Sequence, residues 1–124
     1  MAKFLICNTC NNIVGVIKDK GVPLVCCGKV MPELVANTVE ASYEKHLPEV
    51  KKTEKGISVK VGSVLHPMTE EHYIDFIYVE TERGGQRVKL NLEDSPEAEF
   101  CFVNDKPIAV YEYCNLHGLW KTEL

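Results

Sequence analysis

Beyond Ile57 the chain alternates apolar and polar residues with a period of two. Ile57-Ser58-Val59-Lys60-Val61 is a clean alternation, and the run from Tyr73 to Glu80 is rich in aromatic and β-branched residues. Both patterns predict half-buried strands. Gly84-Gly85 reads as a hairpin turn into Gln86-Arg87-Val88-Lys89-Leu90-Asn91-Leu92, and the runs 99–103 and 108–113 give two more strands. No stretch carries a convincing amphipathic helix, and no repeat is present. The segment from Lys51 to Gly56 reads as a solvated mixed-charge loop. Short strands separated by turn signals predict an antiparallel β-sandwich.

The N-terminal stretch is different. Short apolar runs (Phe4-Leu5-Ile6, Ile13 to Ile17, Val22 to Val25) are broken by turn signals such as Asp19-Lys20-Gly21, and four cysteines fall among them. So little apolar surface cannot hold a fold alone, so a bound metal must supply much of the stability. The expected organisation is therefore a small metal-bound domain over residues 1–36 and a β-sandwich over 37–124, all-β throughout.

Composition narrows the class. Charged residues make up 26% and hydrophobic ones 45%, which fits a globular chain rather than a disordered one. A net charge of −4 argues against nucleic acid as the main partner. No apolar run approaches the roughly 18 residues of a membrane span. The run before Cys7 is too short for a secretory signal. These features point to a cytoplasmic protein, where thiols stay reduced and Cys-x2-Cys marks metal or redox chemistry. Cys101, between Phe100 and Phe102, reads as a small buried thiol.

Two ligand sets follow. Cys7-Asn8-Thr9-Cys10 allows a turn whose backbone amides face the sulfurs, and Cys26-Cys27 supply two more thiolates, with Gly28 permitting close backbone approach. Spacing alone does not choose between zinc and iron. The second set holds every histidine in the chain: His46, His66, His72 and His117, with Cys114 three residues before the last. His66 and His72 would diverge on a helix but can converge from a loop entering a strand. Spacing leaves open whether all five share one site. Four imidazoles in a plane with a thiolate beneath would leave one axial position free, an arrangement suited to iron and to one-electron transfer to a small oxygen ligand. A pure electron carrier and a zinc-stabilised binding module are the competing readings.

The motifs Cys7-x2-Cys10 with Val25-Cys26-Cys27-Gly28, Glu44-Lys45-His46, Val61 to Met68 with His72, and Tyr113-Cys114-Asn115-Leu116-His117-Gly118 together resemble the desulfoferrodoxins, two-iron superoxide reductases. The resemblance implies a desulforedoxin-like domain holding Fe(Cys)4, followed by a neelaredoxin-like, immunoglobulin-type sandwich. In the second domain it implies iron held by His46, His66, His72 and His117, with Cys114 axial. It further implies reduction of superoxide to hydrogen peroxide, a rubredoxin-like electron donor, a homodimer and a role in oxidative-stress defence of anaerobes or microaerophiles. Lys45 would attract the anion, and Glu44 would occupy the sixth position of the oxidised iron. One departure is Tyr73, which follows the third histidine where a tryptophan is expected.

Overall fold

A computed structural model describes residues 1–124, which divide into two compact units, Met1–Val35 and Ala36–Leu124. In the first, β1 (Phe4–Ile6) pairs antiparallel with β2 (Ile13–Gly15), and β3 (Val25–Cys26) pairs with β4 (Lys29–Val30). The Ile6 amide donates to the Pro32 carbonyl and the Leu34 amide to the Phe4 carbonyl, tying β1 to the chain that follows β4. The buried cluster is only Leu5, Cys7 and Met31, with Val14, Val16 and Cys26 at its edge. Burial of so few side chains cannot offset the entropy of ordering the unit.

The second unit opens with one helical turn, α1 (Tyr43–His46), which is closed at its C-terminal side by Leu47 donating to the Tyr43 carbonyl and stopped by Pro48. Seven strands follow: β5 (Pro48–Lys52), β6 (Gly56–Val61), β7 (Ile74–Thr81), β8 (Gly84–Lys89), β9 (Glu97–Cys101), β10 (Pro107–Cys114) and β11 (Gly118–Glu123). They form one sheet of order β11-β10-β7-β8 and another of order β5-β6-β9, all antiparallel. Ile57, Val59 and Val61 of β6 and Phe100 of β9 pack with Ile74, Ile77 and Val79 of β7 and Val110 and Cys114 of β10 in one core. This is an immunoglobulin-like sandwich.

The structure departs from the sequence reading in several places. The turn joining β7 to β8 is Glu82-Arg83, and Gly84 and Gly85 lie in the strand opposite Thr81 and Glu80. Gly85 is needed for close approach, since a Cβ there would collide with the Tyr78 side chain. The segment from Lys51 belongs partly to β5, whose polar residues concealed a strand that β6 pairs along its whole length. β11 and α1 were not anticipated. Cys101 is exposed, not buried. The inward residues of β9 are Ala98 and Phe100, so period-two parity turns Glu97, Glu99 and Cys101 outward.

Candidate metal centres

The β3–β4 hairpin brings two adjacent cysteines to one point. Its central residues, Cys27 and Gly28, have φ of 53° and 75°, the left-handed pair that a two-residue hairpin turn requires. Nothing lies within 4 Å of a Cβ built on Gly28, so this glycine supplies a backbone conformation and not the close approach expected from the sequence. The turn sets Sγ of Cys26 and Cys27 4.0 Å apart, and Sγ of Cys10 lies 3.7 Å from Sγ of Cys26. The ligand atoms of Cys7, Cys10, Cys26 and Cys27 all fall within 4.8 Å of one another. Four sulfurs about 2.3 Å from a tetrahedral metal stand about 3.8 Å apart, so the set fits a tetrathiolate site. The backbone amides of Cys10 and Thr9 pull the Cys7 thiol down to about 6, while the neighbouring thiols Cys7 and Cys10 push Cys26 up to about 12. The first thiolate is thus prepared by the backbone, as a metal ligand must be.

The second cluster is built by three loops at one end of the sandwich: α1 with His46, the β6–β7 connection with His66 and His72, and the β10–β11 turn with Cys114 and His117. The four imidazoles form a closed square in sequence order. Centroid separations are 4.8 Å (His46–His66), 4.5 Å (His66–His72), 5.0 Å (His72–His117) and 4.8 Å (His117–His46). Each neighbouring pair is close to perpendicular, at 77° to 89°, and His46 and His72 face each other across the diagonal at 6.2 Å. His46 Nδ1 lies 2.6 Å from the Ser42 carbonyl oxygen and His66 Nδ1 lies 2.7 Å from that of Pro67. A carbonyl only accepts, so both Nδ1 atoms carry the proton and both Nε2 atoms present bare lone pairs.

Those two Nε2 atoms are nevertheless 3.3 Å apart, and His117 Nδ1 lies 3.1 Å from His46 Nε2. Two lone pairs so close repel unless a cation lies between them. Two nitrogens about 2.1 Å from one metal at right angles stand about 3.0 Å apart, which matches. His72 Nε2 is buried with no protein partner, a further atom awaiting a ligand. Cys114 Sγ lies 3.9 Å from His117 Nδ1, and the ligand atoms of His46, His72, His117 and Cys114 all fall within 4.8 Å of one another. His66 stands outside that tighter set and joins it through His46 and His72.

Electrostatics favour the metal-ready form of three imidazoles. Burial lowers the pKa of His46 and His72 and takes that of His66 to about 4, keeping all three neutral. Lys45 adds to the lowering at His46 and His72, so its charge reaches both rings. Burial pushes the Cys114 thiol up, while the backbone amides of Leu116 and His117 pull it down. Glu44 and Lys45 are exposed on α1. The Glu44 carbonyl accepts from Val64 N and Ser63 Oγ, which fastens α1 to the loop leading into His66.

The sequence model of the desulfoferrodoxin family matches residues 38–123. The chain belongs to the desulfoferrodoxin family. It is 50% identical over 94% of its length to the desulfoferrodoxin of Syntrophotalea carbinolica, covering 92% of that protein. It is 46% identical, with the same coverage, to that of Nitratidesulfovibrio vulgaris. Its fold is similar to the crystal structure of the superoxide reductase from Treponema pallidum, with a TM-score of 0.83, 35% identity and 99% of both chains covered. The four-cysteine group and the group of three histidines with Cys114 are consistent with the two iron centres of a desulfoferrodoxin.

In this desulfoferrodoxin-family chain several supporting residues escaped the sequence reading. Trp120, wholly buried, stacks on His46 at 5.0 Å and donates from Nε1 to the His117 carbonyl at 3.1 Å. It is the single tryptophan, three residues after His117, and β11 was the strand that the pattern concealed. Gly62 receives α1: a Cβ there would lie 2.5 Å from the Val64 carbonyl oxygen and 2.7 Å from that of Glu44. Glu112, two positions before Cys114, is fully buried with neither carboxylate oxygen partnered, and burial holds its pKa well above the usual carboxylate range.

Proposed function

We propose that this protein is a superoxide reductase, converting superoxide, one electron and two protons to hydrogen peroxide without releasing dioxygen. The observation that carries this reading is the square of four imidazoles whose convergent lone pairs lie beside a buried cysteine. His46, His66, His72 and His117 would hold iron with Cys114, and Cys7, Cys10, Cys26 and Cys27 would hold a second iron. Ferrous iron in the histidine–cysteine centre supplies the electron. The names carried by similar proteins support the same activity.

The chain's own groups have distinct tasks in this reading. Neutral imidazoles keep the charge of the centre low, so an anion meets no ring of negative ligands. Lys45 offers an exposed cation whose field already reaches His46 and His72, and it draws superoxide toward the rings. The amides of Leu116 and His117 withdraw charge from the Cys114 sulfur and set how strongly it donates. Glu44, next to Lys45 on the same exposed turn, would offer a carboxylate to the oxidised centre. A small rubredoxin-like carrier returns the electron, the chain works as a homodimer in the cytoplasm, and the two units are desulforedoxin-like and neelaredoxin-like domains.

Product stoichiometry tests the activity. With reduced, iron-loaded protein, one hydrogen peroxide should form for each superoxide consumed, with no dioxygen. Release of dioxygen would identify a dismutase, and absence of iron after aerobic purification would remove the redox reading. For Lys45→Ala, the superoxide encounter rate should fall and lose most of its salt dependence. An unchanged rate and slope would remove the role given to Lys45.

A further inference from the structure

We infer that Asn115 is the positioning residue that locks His72 to Cys114, so that one imidazole and the thiolate are held as a single unit. The inference rests on reading the histidine–cysteine cluster as a metal centre and deepens that reading.

The four imidazoles are not held alike. His46 and His66 are each fixed by a ring nitrogen bonded to a carbonyl, and the loop of His117 is fixed by the Trp120 indole. The His72 ring has no hydrogen bond of its own. Its orientation must come from its backbone. The Thr69–His72 turn closes on itself: Thr69 N donates to the His72 carbonyl at 2.9 Å, and His72 N donates to the Thr69 carbonyl and to Thr69 Oγ1. Those bonds shape the loop but tie it to nothing else.

Asn115 supplies the tie. Its Oδ1 accepts from Tyr73 N at 2.8 Å, and its Nδ2 donates to the Glu71 carbonyl at 3.0 Å. Its own amide donates to the Tyr73 carbonyl at 3.2 Å. The peptide groups on both sides of His72 are therefore bonded to one residue, and that residue is covalently next to Cys114. The β10–β7 ladder shifts register between Tyr113 and Cys114 and ends at the pair Cys114↔Ile74. The carboxamide continues the pairing beyond that end, where the backbones no longer match. Only a side chain with one donor and one acceptor a short reach from the backbone fits both bonds. Asp keeps the acceptor and loses the donor. Leu keeps the size and loses both.

Cobalt(II) titration of the full-length chain tests this, because thiolate-to-cobalt absorption separates the four-cysteine site from the histidine–cysteine site. The unsubstituted chain should bind cobalt at both. In Asn115→Leu the affinity of the histidine–cysteine site should fall about 10- to 100-fold, as for lost outer-shell partners generally. Its charge-transfer band should shift, with the four-cysteine site unchanged. Asn115→Asp should fall between, and carries the test if the leucine variant does not fold, as judged by Trp120 fluorescence. Unchanged affinity and band in a folded variant would overturn the inference, and so would equal loss at both sites. Failure of the unsubstituted chain to bind cobalt at the histidine–cysteine site would instead overturn the metal reading, and the inference with it.

Discussion

The indole of Trp120 lies stacked on the imidazole of His46, with 5.0 Å between centroids and 26° between planes. The same indole donates to the His117 carbonyl, so one buried side chain braces two imidazole-bearing segments that come from opposite ends of the unit. Trp120→Phe keeps a ring against His46 and removes the donor. It should cost about 1–2 kcal/mol of stability, whereas Trp120→Ala should cost about 3–5 kcal/mol. Urea unfolding followed by circular dichroism measures both. Metal affinity should fall at the histidine–cysteine site and hold at the four-cysteine site. Equal affinity in Trp120→Phe would show that the indole bond to the His117 carbonyl does not help to form the site.

Much of this centre was legible in the chain, for reasons particular to each residue. The thiolates of Cys7, Cys10, Cys26 and Cys27 announce themselves by spacing, because a short loop brackets a tetrahedral metal almost wherever it folds. His66, His72 and His117 border runs that read as strands, but spacing left open whether they share one site, and only the resemblance grouped them. What braces them was not legible. β11 has no alternation of its own worth the name, and its partner β10 decides that Trp120 faces inward. α1 exists because Gly62 admits its backbone, a relation between distant parts of the chain that no local propensity reports. Cys101 was misjudged from its aromatic neighbours when the parity of β9 governs its direction.

Gly62 is accordingly the most sensitive backbone position near the site. Its φ of 80° is already unfavourable for a side chain, and a methyl group would meet the carbonyls of Val64 and Glu44. Gly62→Ala should push α1 outward and move Glu44, Lys45 and His46 together. The expected result is a loss of about 2 kcal/mol or more in stability and a weaker histidine–cysteine site. Chemical denaturation and metal titration check the two effects. A variant with native affinity would mean that α1 does not depend on this contact.

Removal of metal should separate the two units. The first has only Leu5, Cys7 and Met31 as a buried cluster, and four thiols that repel as they ionise once no cation joins them. The second has the continuous core from Ile57 to Cys114. After chelation, amide protection in β1 and β2 should vanish while β6, β7 and β10 remain protected. Hydrogen exchange with and without chelator reads this directly. Retained protection in β1 would show that the small unit folds without a metal.

Glu112 makes the last prediction, and its sign follows from linkage. The carboxyl sits in the sandwich interior opposite Trp120 and Ile77, and neither oxygen has a partner. Burial raises its pKa in the folded chain, so the native state keeps the proton after the unfolded state has released it near 4.5. Folding is then unpenalised below that pH, and stability is lost as pH rises toward the folded pKa, at up to roughly 1.4 kcal/mol per pH unit. Glu112→Gln removes the titration and keeps the shape. In the metal-free chain the variant should match the wild type near pH 4 and exceed it increasingly at higher pH. Unfolding midpoints across that range measure the difference, and a pH-independent gap would mean that the carboxyl finds a stabilising partner once ionised.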